Sequence, residues 1–552
     1  MNSNGFILKW VLKKIRRSIP SLLFLSACSI ISAVSGVLFA LGSKRVINAA
    51  VSQQKEAFIE ACLIQAGIIV FSLFFSTLVR HLKDKNHAVM DRNWKKSILH
   101  ALLESEYSAV SEYHSSELIN RMNNDVRILC DGIVNILPNL CSMITKLIAA
   151  FAALSAMAPL FAGAIVIAGG LVIIVTAFIR RPLKSLHKKL SEANGRVSGI
   201  IQETLEKLLA VQAMDVSEEV EKRTKIRLDE RFELFRKRKN LSLVSSTCIS
   251  IMYYGAGFAA LCFCSAGILM GSMSYGTMTA VTQLVGQLQH PIVNLSGVLP
   301  KVISATAAAE RLYELDSLRK TAPPCEESSE DIYKTLETIS AEKLCFTYDR
   351  DTIFDSADFN INKGMFCVIK GTSGAGKSTL LKILLGIYSP NSGELFFQCG
   401  ERKIPIDNST RRLFSYVPQG NLVFSGTIRD NLLIVRPNAT EEEIQRAVYV
   451  STMDAYLSQL PNGLETVLGE SGAGLSEGQV QRLAIARAIL GDAPILLLDE
   501  CTSALDAETE SLVLERLCAL ENKTCIAVTH RPVPNHLVNL TININACKIQ
   551  ID

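Results

Sequence analysis

The chain has 552 residues, too many for one hydrophobic core, and its length alone suggests three or four domain-sized units. Its 57 basic and 53 acidic residues leave a net charge of +4, which excludes the strongly basic balance of a nucleic-acid binder. Hydrophobic residues make up 49%, mean hydropathy is +0.26, and the polar residues gather in blocks, the pattern of a membrane region joined to a soluble one.

Residues 1–18 form a basic amphipathic elbow, with Ile7, Trp10, Val11 and Ile15 set against Lys13, Lys14, Arg16 and Arg17. Such a stretch suits the cytoplasmic face of a membrane. Apolar runs follow near 19–41, 57–79, 132–156, 161–179, 243–270 and 277–300, and they predict a six-span α-helical transmembrane domain over 19–315. The short connections at 157–160 and 271–276 hold no Lys or Arg. The long ones, 80–131 and 180–240, hold many, including Arg80, Lys83, Lys85, Lys184 and Lys188, so both termini and both long connections belong in the cytoplasm. Those connections keep helical periodicity and read as cytoplasmic extensions of the spans. Polar residues within the spans are few: Gln65, Lys146, Tyr253, Tyr254, Gln283, Gln287, Gln289 and His290. Each either lines a path for a substrate or bonds one helix to another. The fifteen cysteines show no C-x2-C pair and no disulfide-like spacing, which points to buried free thiols in a reducing compartment.

A proline-containing, acidic stretch within 316–335 has linker composition, and 336–552 reads as a soluble α/β domain. There Gly371-Thr372-Ser373-Gly374-Ala375-Gly376-Lys377-Ser378-Thr379 fits G-x-x-x-x-G-K-[ST], between an apolar strand and a helical run. Such a loop turns backbone N–H groups inward to cradle phosphates. Lys377 then reaches the β/γ-phosphates, and the Ser378 hydroxyl holds Mg²⁺. Farther on, the apolar run Ile495 to Leu498 ends in Asp499 and Glu500. In phosphate-loop enzymes an acid at this strand end orients Mg²⁺, the role suited to Asp499, and a neighbouring carboxylate polarises water, the role suited to Glu500.

Between these motifs lies Leu475-Ser476-Glu477-Gly478-Gln479, and here the sequence resembles an ATP-binding cassette transporter of the exporter type, with Glu477 departing from the usual third residue. The resemblance implies a P-loop ATPase domain with a helical subdomain, ATP as the nucleotide and Mg²⁺ as its partner. It further implies that Tyr348 stacks on adenine, Gln419 reports Mg²⁺ and the γ-phosphate to the membrane domain, and Ser503 to Asp506 crosses between two nucleotide domains. His530 is expected to contact the γ-phosphate or the attacking water. Ser476, Gly478 and Gln479 would bind the nucleotide held by a second chain. Thr440 and Glu443 form a capping box that starts a helix of the subdomain.

A single phosphate loop and a single signature imply a dimer, a homodimer more readily than a heterodimer. The expected activity is ATP-driven export of a peptide, drug or lipid across a bacterial cytoplasmic membrane, by alternating access. A lipid flippase, an ATP-regulated channel and a regulatory membrane protein are the alternatives. A soluble chromosome-maintenance ATPase would lack the six apolar runs.

Overall fold

The structure, a computed structural model, describes residues 3–551 except 324, 326, 349–350, 421–422, 470–473, 521, 532, 535 and 546. Two compact units divide the chain: Met1–Ala101 with Ser115–Ser317, and Leu102–His114 with Leu318–Asp552.

The first unit is helical. The elbow is α1 (Ser3–Ile15), and α2 (Ile19–Val51) follows it with Pro20 in the first turn, where no donor is needed. Next come α3 (Lys55–Leu103), α5 (Ser115–Asn120), α6 (Val126–Met157), α7 (Pro159–Glu206), α8 (Leu208–Ala213), α9 (Ser217–Leu269) and α10 (Tyr275–Asp316). The short α4 (Tyr107–Ser111) belongs to the second unit. Long helices thus cover all six apolar runs and continue through the stretches read as cytoplasmic extensions. Among the described residues four helices are long and apolar enough to cross a membrane: Gly5–Val51, Lys55–Leu103, Ser115–Met157 and Ser217–Leu269. The apolar parts of α7 and α10 include side chains outside the described residues, and the side chain of His290 is among these.

Local chemistry explains how these helices pack. On α1, Ile7, Val11 and Ile15 recur every four residues and are buried, while Trp10 Nε1 donates to Asp316 Oδ2 at 2.8 Å and Lys14 Nζ to Asp316 Oδ1 at 2.8 Å. A π-type turn at Arg121–Asp125 joins α5 to α6 and buries two charges. Arg121 pairs with Glu117 and Glu314 at 2.8 Å each, and Arg311 grips Asp125 at 2.6 and 2.8 Å. Three of the four span glutamines bond helix to helix. Gln65 Nε2 donates to Phe39 O and Ser43 Oγ at 3.2 Å, Gln287 Nε2 to Gly36 O at 2.7 Å, and Gln289 Nε2 to Tyr253 O at 3.0 Å.

The second unit holds two sheets. An antiparallel sheet of order β2-β1-β4-β5 comprises β1 (Thr338–Tyr348), β2 (Asp351–Asn362), β4 (Ser392–Cys399) and β5 (Arg402–Pro405). A six-stranded sheet of order β12-β11-β3-β10-β9-β6 comprises β3 (Phe366–Gly371), β6 (Phe414–Val417), β9 (Ile495–Asp499), β10 (Thr524–Val528), β11 (Leu540–Asn545) and β12 (Lys548–Ile551). It is parallel apart from the β11–β12 hairpin, and β3, β9 and β10 are near-continuous apolar runs because they lie in the middle of the sheet. Phe354, Phe359 and Phe397 from the first sheet and Ile369 and Leu380 from the phosphate-loop segment share one core, each at most 1% exposed. The stretch read as linker ends in α11 (Ser329–Thr335), capped by Ser328, and its Ile332 and Tyr333 join this core.

The phosphate loop leads into α12 (Lys377–Leu384). A helical subdomain comprises α13 (Ile428–Leu433), α14 (Glu441–Val450) and α15 (Asp454–Leu457), with the two-residue strands β7 (Gly426–Thr427) and β8 (Val467–Leu468). Ile428, Leu432, Ile444 and Ala447 form its core with Leu483 and Ala486 of α16 (Glu477–Leu490). The capping box closes as its sequence requires: Glu443 N donates to Thr440 Oγ1 and Thr440 N to Glu443 Oε2. The last helix is α17 (Ala507–Cys518).

Candidate nucleotide site

Parallel pairing of β3, β10, β9 and β6 delivers their C-terminal ends to one edge, the usual place for a ligand in such a sheet. The loop 371–376 leaves β3 and enters α12 through Gly376, at φ +99°. A side chain there would meet Ile353 Cγ2 at 2.3 Å, so glycine is required both by the left-handed backbone and by the close approach of β2. Thr372, Ser373 and Gly374 are exposed, Ala375 is half-buried, and Thr379 sits half-buried in the first turn of α12. Lys377 is 5% exposed, and its ammonium donates to Gly371 O and Thr372 O at 3.0 Å, inside the loop it serves.

Ser378 Oγ donates to Asp499 Oδ1 at 2.9 Å, and Tyr416 OH donates to Asp499 Oδ2 at 3.1 Å. Burial raises the Asp499 carboxyl above the usual range for aspartate, against the two hydrogen bonds that favour its charged form. A hydroxyl and a carboxylate side by side form a hard oxygen donor set of the kind that suits Mg²⁺.

Glu500 follows with φ +49°, a left-handed conformation that costs a residue with a side chain roughly 1–2 kcal/mol. Its carboxylate is held from two sides: Gln419 Nε2 donates to Oε2 at 2.7 Å, and His530 Nε2 lies 3.0 Å from Oε1. A strained backbone that aims a doubly held carboxylate at the phosphate-loop edge is an arrangement built for chemistry.

Tyr348 stands at the end of β1 in an aromatic group, edge-on to Phe346 at 4.9 Å and to Tyr388 at 5.3 Å. Tyr388 in turn meets Tyr107 of α4 at 6.4 Å. The same β1–β2 hairpin supplies Ile353 and Phe354, which pack on Gly376, so the hairpin carrying Tyr348 borders the phosphate loop.

The signature residues lie apart from this cluster. Ser476 caps α16, accepting from Gln479 N at 3.3 Å while its own N–H donates to Gln479 Oε1 at 2.8 Å, and Ser476 and Glu477 are exposed. Gly478 packs so closely on Ala504 that an added Cβ would lie 3.0 Å from Ala504 O. Among the described residues no hydrogen bond joins Ser476, Gly478 or Gln479 to the phosphate loop.

Three supporting residues were not assigned roles from sequence. Tyr416 holds Asp499 as described. Gln481 on α16 donates to Ser503 Oγ and accepts from Ala504 N, both at 3.0 Å. Arg531 donates to Leu505 O at 2.7 Å and Ser503 O at 2.9 Å, and pairs with Glu510 at 2.9 Å. The segment 503–506 is thereby tied both to the signature helix and to the residue beside His530. A glutamine inside a helix and an arginine after a histidine carry no local pattern that announces such a task.

The fold and the site define a membrane protein that carries a fused phosphate-loop domain. A family model described as the ABC transporter transmembrane region matches residues 22–292, and one described as ABC transporter matches residues 354–503. The chain belongs to the ABC transporter family. It is similar to the ABC multidrug transporter mdr2 of Aspergillus fumigatus, 33% identical over 64% of this chain and 45% of that one. It is similar also to the ATP-dependent lipid A-core flippase of Desulfotalea psychrophila, 30% identical over 63% and 61%. The matched segment thus spans about half the length of these curated relatives. A solved structure of a bacterial Atm1-family ABC exporter with ATP bound superposes with a TM-score of 0.80 at 20% identity, covering 97% of this chain and 94% of that one, which shows the shared fold.

Proposed function

We propose that the chain is one half of an ATP-driven exporter, with a hydrophobic or amphipathic substrate and with ATP hydrolysed between two copies. The observation that carries this reading is Glu500, held by Gln419 at 2.7 Å and His530 at 3.0 Å beside the Ser378–Asp499 pair. A channel or sensor that only binds nucleotide has no need of a strained, doubly held carboxylate at that place.

The phosphate loop and Lys377 hold the triphosphate, and Tyr348 offers a ring face to the base. Ser378 and Asp499, with Gln419 at the edge, would hold Mg²⁺, which when bound neutralises developing phosphate charge. Glu500 takes the proton of the attacking water. His530 and Gln419 fix its orientation, so little reorganisation remains at the moment of reaction. Ser476, exposed at the start of α16, together with the half-buried Gly478 and Gln479, would cover the γ-phosphate bound by a second chain. Closure of two such domains moves the long helices that run on from the spans and switches the cavity between the two sides of the membrane. The nucleotide domain and both termini lie in the cytoplasm, by the charge pattern of the connections, and the membrane is assigned as a bacterial cytoplasmic membrane.

The similarity to a lipid flippase favours one second reading, movement of a lipid between leaflets. Proteoliposomes separate the readings. Export predicts ATP-dependent accumulation of an amphipathic substrate against its gradient, and a flippase predicts movement of labelled lipid alone. Passive flux that equilibrates without accumulation would contradict both and favour a channel.

A further inference from the structure

Helices α6 and α10 run antiparallel with a register set by two contacts. Arg311 grips Asp125 at 2.6 and 2.8 Å, and Gly132 lies so close to α10 that an added Cβ would come within 2.6 Å of Ala305 Cβ. One turn further along α10, the same register sets Lys301 opposite Ile136, about one turn from Asn139. Asn139 Oδ1 accepts a 2.8 Å hydrogen bond from Lys83 Nζ of α3, so Lys83 and Lys301 converge on one place. Lys146 stands two turns beyond Asn139 on the same face of α6.

The two edges of this seam differ in kind. On one, Leu129, Ile133, Val302 and Thr306 line an apolar groove of about 580 Å³ against Ile7 and Val11 of the elbow. Lys301, Asn139 and Lys146 fall on the opposite edge, turned round their helices away from the elbow.

Among the described residues, none of the three lysines has a carboxylate partner. Of the nearby acids on α6, Asp125 pairs with Arg311 and Asp131 lies 3.3 Å from His87, while Asp84 on α3, beside Lys83 in the chain, is exposed. Lys83 is half-buried, and its pKa is lowered first by that burial and then by the charge of Lys301, consistent with their proximity. Asn139 takes one of the three N–H groups of Lys83 and leaves two. Like charges brought together without a counter-ion are costly, and a bound anion relieves that cost.

We infer that Lys83, Lys301 and Lys146 form an anion-recognising wall, so that the transported molecule is an amphiphile carrying a phosphate, sulfate or carboxylate on an apolar body. The inference rests on the export reading and names its substrate class. In a dimer the wall is present twice, once from each copy.

The test uses the full-length protein in nanodiscs of zwitterionic lipid, with ATP hydrolysis measured against added lysophosphatidic acid, lysophosphatidylcholine or a long-chain alkylamine. Lysophosphatidic acid is expected to stimulate at the lowest concentration. Lys83→Gln with Lys301→Gln should erase that preference by about tenfold in half-maximal concentration. Lys83→Arg with Lys301→Arg should keep it, and Lys83→Glu with Lys301→Glu should turn it toward the amine, an inversion that misfolding cannot produce. Equal responses to the three amphiphiles, or a preference unmoved by charge reversal, would overturn the inference and leave the export reading in place. A wild-type protein with no ATP hydrolysis at all would overturn both.

Discussion

Glu500 shows how a single position combines backbone and side chain. Its φ of +49° turns the carboxylate out of β9, and the Glu500 N–H is kept satisfied by Val528 O at 3.1 Å. Glu500→Gln keeps the shape but removes the base, so ATP turnover is expected to fall by about 10²- to 10⁴-fold while nucleotide binding persists. Unchanged turnover in the purified, reconstituted variant would assign the base elsewhere. The cysteines give a second check at this scale. Burial pushes Cys367 and Cys525 up to about 12, whereas hydrogen bonds from Ser392 and the Ser356 N–H hold Cys345 below the usual thiol range. Alkylation of the native protein at mildly alkaline pH, mapped by mass spectrometry, is therefore expected to label Cys345 well before Cys367 or Cys525. Equal labelling would contradict the buried placement of β3 and β10.

At the scale of elements, the junction of α5, α6 and α10 depends on charges that sequence periodicity does not expose. Asp125 is 3% exposed, and Arg311 is its partner. Arg311→Ala strands a buried carboxylate and is expected to cost about 3 kcal/mol, lowering the unfolding midpoint of the detergent-purified protein. Arg311→Met with Asp125→Leu should recover most of that loss, and a double variant as unstable as the single one would contradict the pairing. The phosphate loop, the acids ending β9 and the capping box at Thr440 were legible in the sequence because each depends on residues adjacent in the chain. The long helices were legible from apolar runs and few breakers. The order β12-β11-β3-β10-β9-β6 was not, since strands far apart in sequence pair there through contacts with no local period. The ties from Gln481 and Arg531 to 503–506 were hidden for the same reason. The acidic stretch before β1 read as linker because its polar composition outweighs Ile332 and Tyr333, which fold into the core as α11.

For the whole molecule, the central point is that, among the described residues, no hydrogen bond joins the phosphate loop to the signature of the same chain. Lys377 and Ser378 belong to one cluster with Asp499, while Ser476 faces solvent at the start of α16. On the proposed function a second copy completes each site, and coupling between the two sites would follow from their shared closure. The decisive measurement mixes two defective chains, one carrying Lys377→Ala and the other Ser476→Arg, each with its own tag, and assays ATP hydrolysis by the doubly purified mixed dimer. Each variant alone should be inactive, and the mixed dimer should regain turnover, because one intact loop then faces one intact signature. A mixed dimer as inactive as either parent would contradict a site shared between chains.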